Sequence, residues 1–222
     1  MSNIEIPKEA FDEETIKKLT SLGWGHYKKG NFDASEKFYM IALKASENLN
    51  EDKLSGHILN KLGILYGDTG KYDKALECFN KSKGLFKKLG SKKMLSEVAN
   101  NIGVLYSKMN DRNKAVKFYE ESMGIKKEIL DREGYLRSLI NLGIMYHNLG
   151  DLDKTLEYYN EGLNLSQEAG DKYGVSACLG NIGLIYSDKG DLDKALKYHE
   201  DALEIHREVG YKQGEASDLG NI

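Results

Sequence analysis

"NLGIMYHNLGDLDKTLEYYNEGL" occupies Asn141–Leu163. Forty residues later, from Asn181, the chain reads NIGLIYSDKGDLDKALKYHEDAL, and forty earlier, from Asn101, NIGVLYSKMNDRNKAVKFYEESM. Self-similarity at a fixed period of about 20–50 residues marks an array of stacked supersecondary units. The pairs Leu22-Gly23, Leu62-Gly63, Ile102-Gly103, Leu142-Gly143 and Ile182-Gly183 keep this beat. It predicts five full units, 16–55, 56–95, 96–135, 136–175 and 176–215, after an N-terminal segment 1–15 that leads into the first helix. A sixth unit opens at 216 and stops at 222.

Each unit reads as two helices. In the fourth, Leu136, Leu139, Leu142, Met145 and Tyr146 recur at spacings of three and four, which predicts a helix over 135–148. Gly150 breaks it, and Asp151 or Asp153 caps a second helix whose apolar face carries Leu156, Tyr158, Tyr159 and Leu163. Gly170-Asp171 then supplies a left-handed C-terminal residue and the next cap. Asp12 is expected to cap the first helix of the chain. No strand-like alternation competes, so the fold class is all-α. A glycine inside a helix costs about 1 kcal/mol relative to alanine. Its return in every unit implies close approach of the paired helix, which carries the small residues Ala75, Ala115, Thr155 and Ala195 twelve positions on.

Composition narrows the function. Of 222 residues, 40% are hydrophobic and 30% charged, which suits a folded chain. The formal net charge of −3 argues against a nucleic-acid partner, which needs a positive face, but does not exclude a local basic patch. There is no apolar run long enough to span a bilayer, and no membrane partner is expected. The start MSNIEIPKEAFDEE lacks a basic stretch followed by an apolar one, so no secretory signal is read there. Two cysteines, Cys78 and Cys178, do not make a disulfide framework, and a cytoplasmic location is expected. No His-Glu-x-x-His, phosphate-binding glycine loop or nucleophile constellation occurs. His199 and His206, two turns apart on one helix, are only a faint metal suggestion. No enzyme, metal or cofactor is expected.

Leu/Ile-Gly-x-x-Tyr, then Gly-Asp/Lys-x-Asp-Lys-Ala, then an aromatic four residues after that Ala (Phe79, Tyr119, Tyr159, His199) resembles the tetratricopeptide repeat. The resemblance runs over 16–222. The units are forty residues long and lack the usual proline, which is similar to the repeats of Pins-type polarity scaffolds, kinesin light chains and peptide-sensing bacterial regulators. It implies a right-handed superhelical solenoid of antiparallel helix pairs, with the first helix of each pair on the concave side. The first unit departs, with His26 in place of the repeated Tyr and Gly25 in place of an aliphatic, as a terminal unit can. The chaperone-tail clamps of the family place Asn directly after the small residue. Here Trp24, Ile64, Val104, Ile144 and Leu184 stand there, so that carboxylate clamp is absent.

Counted from the repeated Gly, positions minus six, minus two, plus one and plus five fall within about 60° on a helix of 3.6 residues per turn. If the family geometry holds, this stripe lines the inner wall. The residues singled out on it for peptide binding are Trp24, Lys61, Ile64, Asn101, Val104, Lys108, Arg137, Asn141, Ile144, Asn148, Asn181 and Leu184. Asn101, Asn141, Asn181 and Asn221 make a ladder, and an amide side chain offers both a donor and an acceptor to a peptide backbone. The aliphatics between can take side chains of an extended segment or an amphipathic helix. The bland alternative is that the amides bond to neighbouring repeats, the aliphatics pack on the adjacent helix, and Trp24 covers the open end of the array.

The expected function is therefore a non-enzymatic scaffold binding a protein or peptide in the concave groove. One alternative is self-association through the C-terminal repeat end, where Leu219 and Ile222 lack a second helix. The other is a peptide-sensing regulatory domain of a longer protein.

Overall fold

The computed structural model describes residues 11–222, and residues 1–10 of the N-terminal segment lie outside the described residues. Eleven α-helices and no strands occupy the described residues. They are α1 (Glu13–Lys28), α2 (Phe32–Asn48), α3 (Asp52–Asp68), α4 (Tyr72–Lys88), α5 (Lys92–Lys108), α6 (Arg112–Glu128), α7 (Arg132–Asn148), α8 (Leu152–Ala169), α9 (Lys172–Asp188), α10 (Leu192–Val209) and α11 (Lys212–Asn221). The chain divides into two compact units, 1–118 and 119–222, and α6 contributes to both. In the first unit α1 packs on α2 and α3 on α4, and α2 and α4 each meet the next first helix. In the second the same holds for α7 with α8, α9 with α10, and α10 with α11.

Helix ends follow the chemistry of the turn residues. Asp12 accepts the Thr15 N–H at 2.7 Å and caps α1, while Asp151 and Asp171 cap α8 and α9. Gly150 and Gly170 have φ of 80° and 66°, a region that disfavours any residue with a Cβ. Units counted from 16, 56, 96, 136 and 176 begin inside helices already under way. The helix expected over 135–148 opens at Arg132, because Asp131 accepts the Gly134 N–H and starts it there.

Leu130 occupies a left-handed turn position with φ of 58° and is 84% exposed. A non-glycine residue is disfavoured there by about 1–2 kcal/mol. Leu130→Gly should therefore stabilise the protein by about 0.5–1 kcal/mol after the larger entropy of an unfolded glycine is subtracted, read as a higher urea midpoint at unchanged slope.

The repeated glycines make the close approach that the spacing implies, and the partner is an aromatic ring rather than the small residue alone. A Cβ on Gly63 would lie 2.5 Å from the Phe79 ring, on Gly143 2.3 Å from the Tyr159 ring, on Gly23 2.7 Å from the Tyr39 ring, and on Gly183 2.9 Å from the His199 ring. Ala75, Thr155 and Ala195 are buried one turn before those rings. A second layer of rings stacks in four of the units: His26 on Phe38, Tyr106 on Phe118, Tyr146 on Tyr158 and Tyr186 on Tyr198, with centroids 5.2–5.5 Å apart. His26 thus keeps the stack that the tyrosines make elsewhere. The first helix is unusual in another respect. Leu22 is 51% exposed, whereas its counterparts Leu62, Ile102, Leu142 and Ile182 are buried.

Candidate functional site

In the first unit side chains of α1, α3 and α5 form a chain of contacts. Trp24 stacks on Tyr27, with centroids 4.7 Å apart and planes 13° from parallel, and the Lys61 ammonium sits 4.4 Å above the Trp24 ring. Burial pulls the Lys61 ammonium below its ordinary range, opposed by the carboxylate of Glu97. The Tyr27 hydroxyl donates to the Asp68 carboxylate, which also accepts from Lys108. Burial and that carboxylate push the Tyr27 phenol up to about 12.

Between α3 and α5 lies a cleft of about 110 Å³ lined by Gly63, Ile64, Gly67, Asp68, Phe79, Asn101, Val104, Leu105 and Lys108. Its shape has a sequence cause. Gly63 and Gly67 lack side chains, so Phe79 of α4 reaches the cleft from behind. Its sides are aliphatic, and one end carries the Asp68–Lys108 ion pair. Four of the residues singled out on the sequence, Ile64, Asn101, Val104 and Lys108, meet here. Asn101 donates its amide N–H to the Asn60 side-chain oxygen at 3.0 Å, which turns part of its bonding capacity toward the neighbouring first helix. Val104 is 37% exposed.

In the second unit α7 and α9 present Asn141, Ile144 and Asn148 beside Asn181 and Leu184. Ile144 and Leu184 are 41% and 42% exposed, too open for core residues. Asn141 and Asn181 are half-buried, and neither side chain makes a hydrogen bond among the described residues. Arg137 is tied to Glu133 on its own helix at 3.0 Å. His147 Nε2 lies 2.6 Å from an Asp188 carboxylate oxygen and links α7 to α9. The four-position stripe misses Tyr27, Asn60 and His147, each one helical position off it. Only their cross-helix hydrogen bonds reveal them, and those depend on how adjacent helices align.

The two thiols are held protonated. Burial pushes Cys78 and Cys178 up to about 11 each, far from a nucleophilic thiolate at neutral pH. His199 and His206 both face Asp218 of α11. His206 Nδ1 is 2.6 Å from one carboxylate oxygen and His199 Nδ1 3.8 Å from the other, and all three side chains are buried. Among the described residues no group of three His, Cys, Asp or Glu side chains is disposed to hold a metal ion. No helix there is long and apolar enough to cross a membrane.

Glycines set against aromatic rings, in helix pairs that repeat every forty residues, define a protein built from tetratricopeptide-type hairpins. The sequence profile of the tetratricopeptide repeat matches residues 14–88, 54–128 and 134–208, and the chain belongs to that family. Several solved structures share the fold. BtubC (BKLC) from P. vanneervenii is similar at 22% identity and TM-score 0.79, over 89% of this chain and 82% of that one. The signal transduction ATPase with a tetratricopeptide repeat sensor from Pyrococcus horikoshii is similar at 18% identity and TM-score 0.81, over 92% of this chain but 32% of that one. The putative kinesin light chain nearly identical TPR-like repeats from Podosopora anserina are similar at 14% identity and TM-score 0.75, over 88% and 96%. None of the curated proteins matches the chain.

Proposed function

We propose that the protein is a non-enzymatic scaffold whose first helices grip a peptide or an extended protein segment. The observation that carries this reading is the state of the inner residues. Val104, Ile144 and Leu184 are more than a third exposed on helices that bury Ile102, Leu105, Leu139, Leu142, Ile182 and Ile185, and each follows an asparagine by three residues. A folding role alone would bury them, as it buries Ile102, Leu142 and Ile182 two positions earlier. In the first unit the cleft beside Ile64 and Val104 suits one aliphatic side chain of the partner. Lys108 and Asp68 stand at its end for polar groups, with Trp24 and Lys61 as the neighbouring anchor. In the second unit Asn141 and Asn181 are the amides with donors and acceptors to offer a peptide backbone. Arg137, held by Glu133, and Asn148 stand at the edges of that surface. A cytoplasmic setting fits two protonated thiols.

The test begins with capture of the partner by the full chain from its own cell extract, followed by titration of the isolated segment. Val104→Asp, Ile144→Asp and Leu184→Asp together should weaken that segment at least tenfold, because each places a charge where an apolar side chain docks. The urea midpoint should hardly move, since the three residues are exposed. Asn141→Ala with Asn181→Ala should cost a further several-fold, about 0.5–1.5 kcal/mol per hydrogen bond. Full affinity in the folded triple Asp variant would remove the inner wall as the binding surface.

The last helix favours a second reading. Leu219 on α11 and Ile222 just after it are 55% and 53% exposed and could meet another copy. Sedimentation velocity across a hundredfold concentration range separates the two readings, and a concentration-independent monomer rules out self-association.

A further inference from the structure

The repeat supplies an internal control for charge. Residues 81–93, KSKGLFKKLGSKK, hold six lysines and no acidic residue. The counterparts at 41–53, 121–133, 161–173 and 201–213 each hold more Asp and Glu than Lys and Arg. All five segments build the same second-helix end, left-handed turn and first-helix start. Folding therefore does not ask for lysines at this place. The bias extends to the halves of the chain: residues 1–118 carry 21 Lys and Arg against 15 Asp and Glu, and residues 119–222 carry 11 against 20. The small overall charge hides this division.

Two of the lysines also stand where helix electrostatics disfavours them. Lys92 and Lys93 open α5, whose first turn has no acidic residue, and the N-terminal end of a helix dipole repels cations. The equivalent first turns of α3 and α7 hold Asp52 and Glu133. Lys87 and Lys93 make no ion pair among the described residues, whereas Lys88 reaches Asp52 at 2.5 Å and Lys81 reaches Glu77 at 2.7 Å. Leu89 lies at the turn between Lys87-Lys88 and Lys92-Lys93 and is 45% exposed.

The geometry points to an anionic phospholipid surface as the partner of this turn. The patch contains lysine only. It has no arginine fork for bidentate phosphate recognition and no exposed aromatic on which a base could stack, the two features nucleic-acid readers use. A lysine cluster answers to a diffuse negative potential, and a bilayer rich in acidic lipids presents one with no demand on shape. An apolar tip among the cations matches the depth profile of such a surface, with Leu89 entering below the headgroups. The expectation of no membrane partner rested on the lack of a spanning segment, which does not bear on a local patch at a turn.

The test is co-sedimentation of the full chain with vesicles of phosphatidylcholine alone or with about 30% phosphatidylserine. Binding should require phosphatidylserine and fall steeply as salt rises from about 0.1 M to 0.5 M, as screening shortens the Debye length. Each lysine near such a surface contributes roughly fivefold in partition, about 1 kcal/mol. The combined Lys87→Glu, Lys88→Glu, Lys92→Glu and Lys93→Glu variant should thus lose about a hundredfold or more. The same charge change at Lys17, Lys18, Lys28 and Lys29 should leave binding within a few-fold, and circular dichroism should show both variants folded. Leu89→Ser should weaken partition several-fold without changing its salt dependence. Absence of phosphatidylserine-dependent binding, an equal loss in the control variant, or preferential capture by a short RNA duplex over the vesicles at about 0.15 M salt would each overturn the assignment.

Discussion

Gly143→Val should destabilise the second unit by about 3 kcal/mol or more, read as a fall in the urea midpoint followed by circular dichroism. The Tyr159 ring lies 2.3 Å from where the first added carbon would sit, and that ring is 3% exposed, so it has nowhere to turn. Overpacking of a tight core costs about 1–3 kcal/mol, and the second methyl of valine adds to it. Tyr159→Ala alone should also be severe, in the range of about 3–5 kcal/mol for loss of a buried ring. The double variant should be much milder than the sum of the two, because the valine then occupies space the ring has left. Gly25, Gly84 and Gly124 supply the contrast. Nothing lies within 4 Å of a Cβ built on any of them. Changing these to alanine should stabilise by about 0.5–1 kcal/mol each through helix propensity. Opposite signs for adding a side chain at different glycines of one helical array separate packing from propensity.

The second large effect belongs to the buried ionisable cluster that docks α11. His206→Phe should release α11, seen as loss of hydrogen-exchange protection over 212–221 and a lower melting temperature. Without His206 the Asp218 carboxylate, 3% exposed, would keep only the distant His199 Nδ1, and breaking such a buried pair costs about 3–5 kcal/mol. The equivalent positions 120 residues earlier are Phe86 and Val98, both buried in an apolar core. His206→Phe with Asp218→Val copies that apolar solution, and the double variant should regain or exceed the parent stability. Equal protection of α11 in the His206→Phe variant would show that the imidazole–carboxylate contact does not hold the helix.

The fold is legible because its signal repeats. Glycine at a forty-residue spacing, in a chain whose other residues read as amphipathic helices, leaves little choice but stacked hairpins. What the ring does against that glycine is less legible. The sequence shows Ala75 and Phe79 four residues apart but not which one faces Gly63, since both lie on the same helical face. The candidate site is legible as a stripe, because 3.6-residue geometry places Asn101, Val104 and Lys108 on one face of their helix and Ile64 at the matching register of its own, without knowledge of neighbours. The bonds between helices are not. Asn101 to Asn60, Tyr27 to Asp68 and His147 to Asp188 each join residues forty or more apart, and they follow from the stagger between adjacent helices, which no periodicity encodes. The lysine-rich turn is legible only by comparing copies, for within a single copy it reads as one more solvated helix end.

One further property follows from the seams between successive hairpins. At three of the seams, where the second helix of one hairpin meets the first helix of the next, the buried polar pairs differ: a hydroxyl pair at Ser46 and Ser55, an ammonium and a hydroxyl at Lys126 and Ser138, an imidazole and a carboxylate at His206 and Asp218. Chains made of near-identical modules risk threading a module beside the wrong neighbour while they emerge and fold. A module that skipped its place at the Lys126 or Asp218 seam would entomb an ammonium or a carboxylate opposite a mismatched group, so these two seams penalise that misordering.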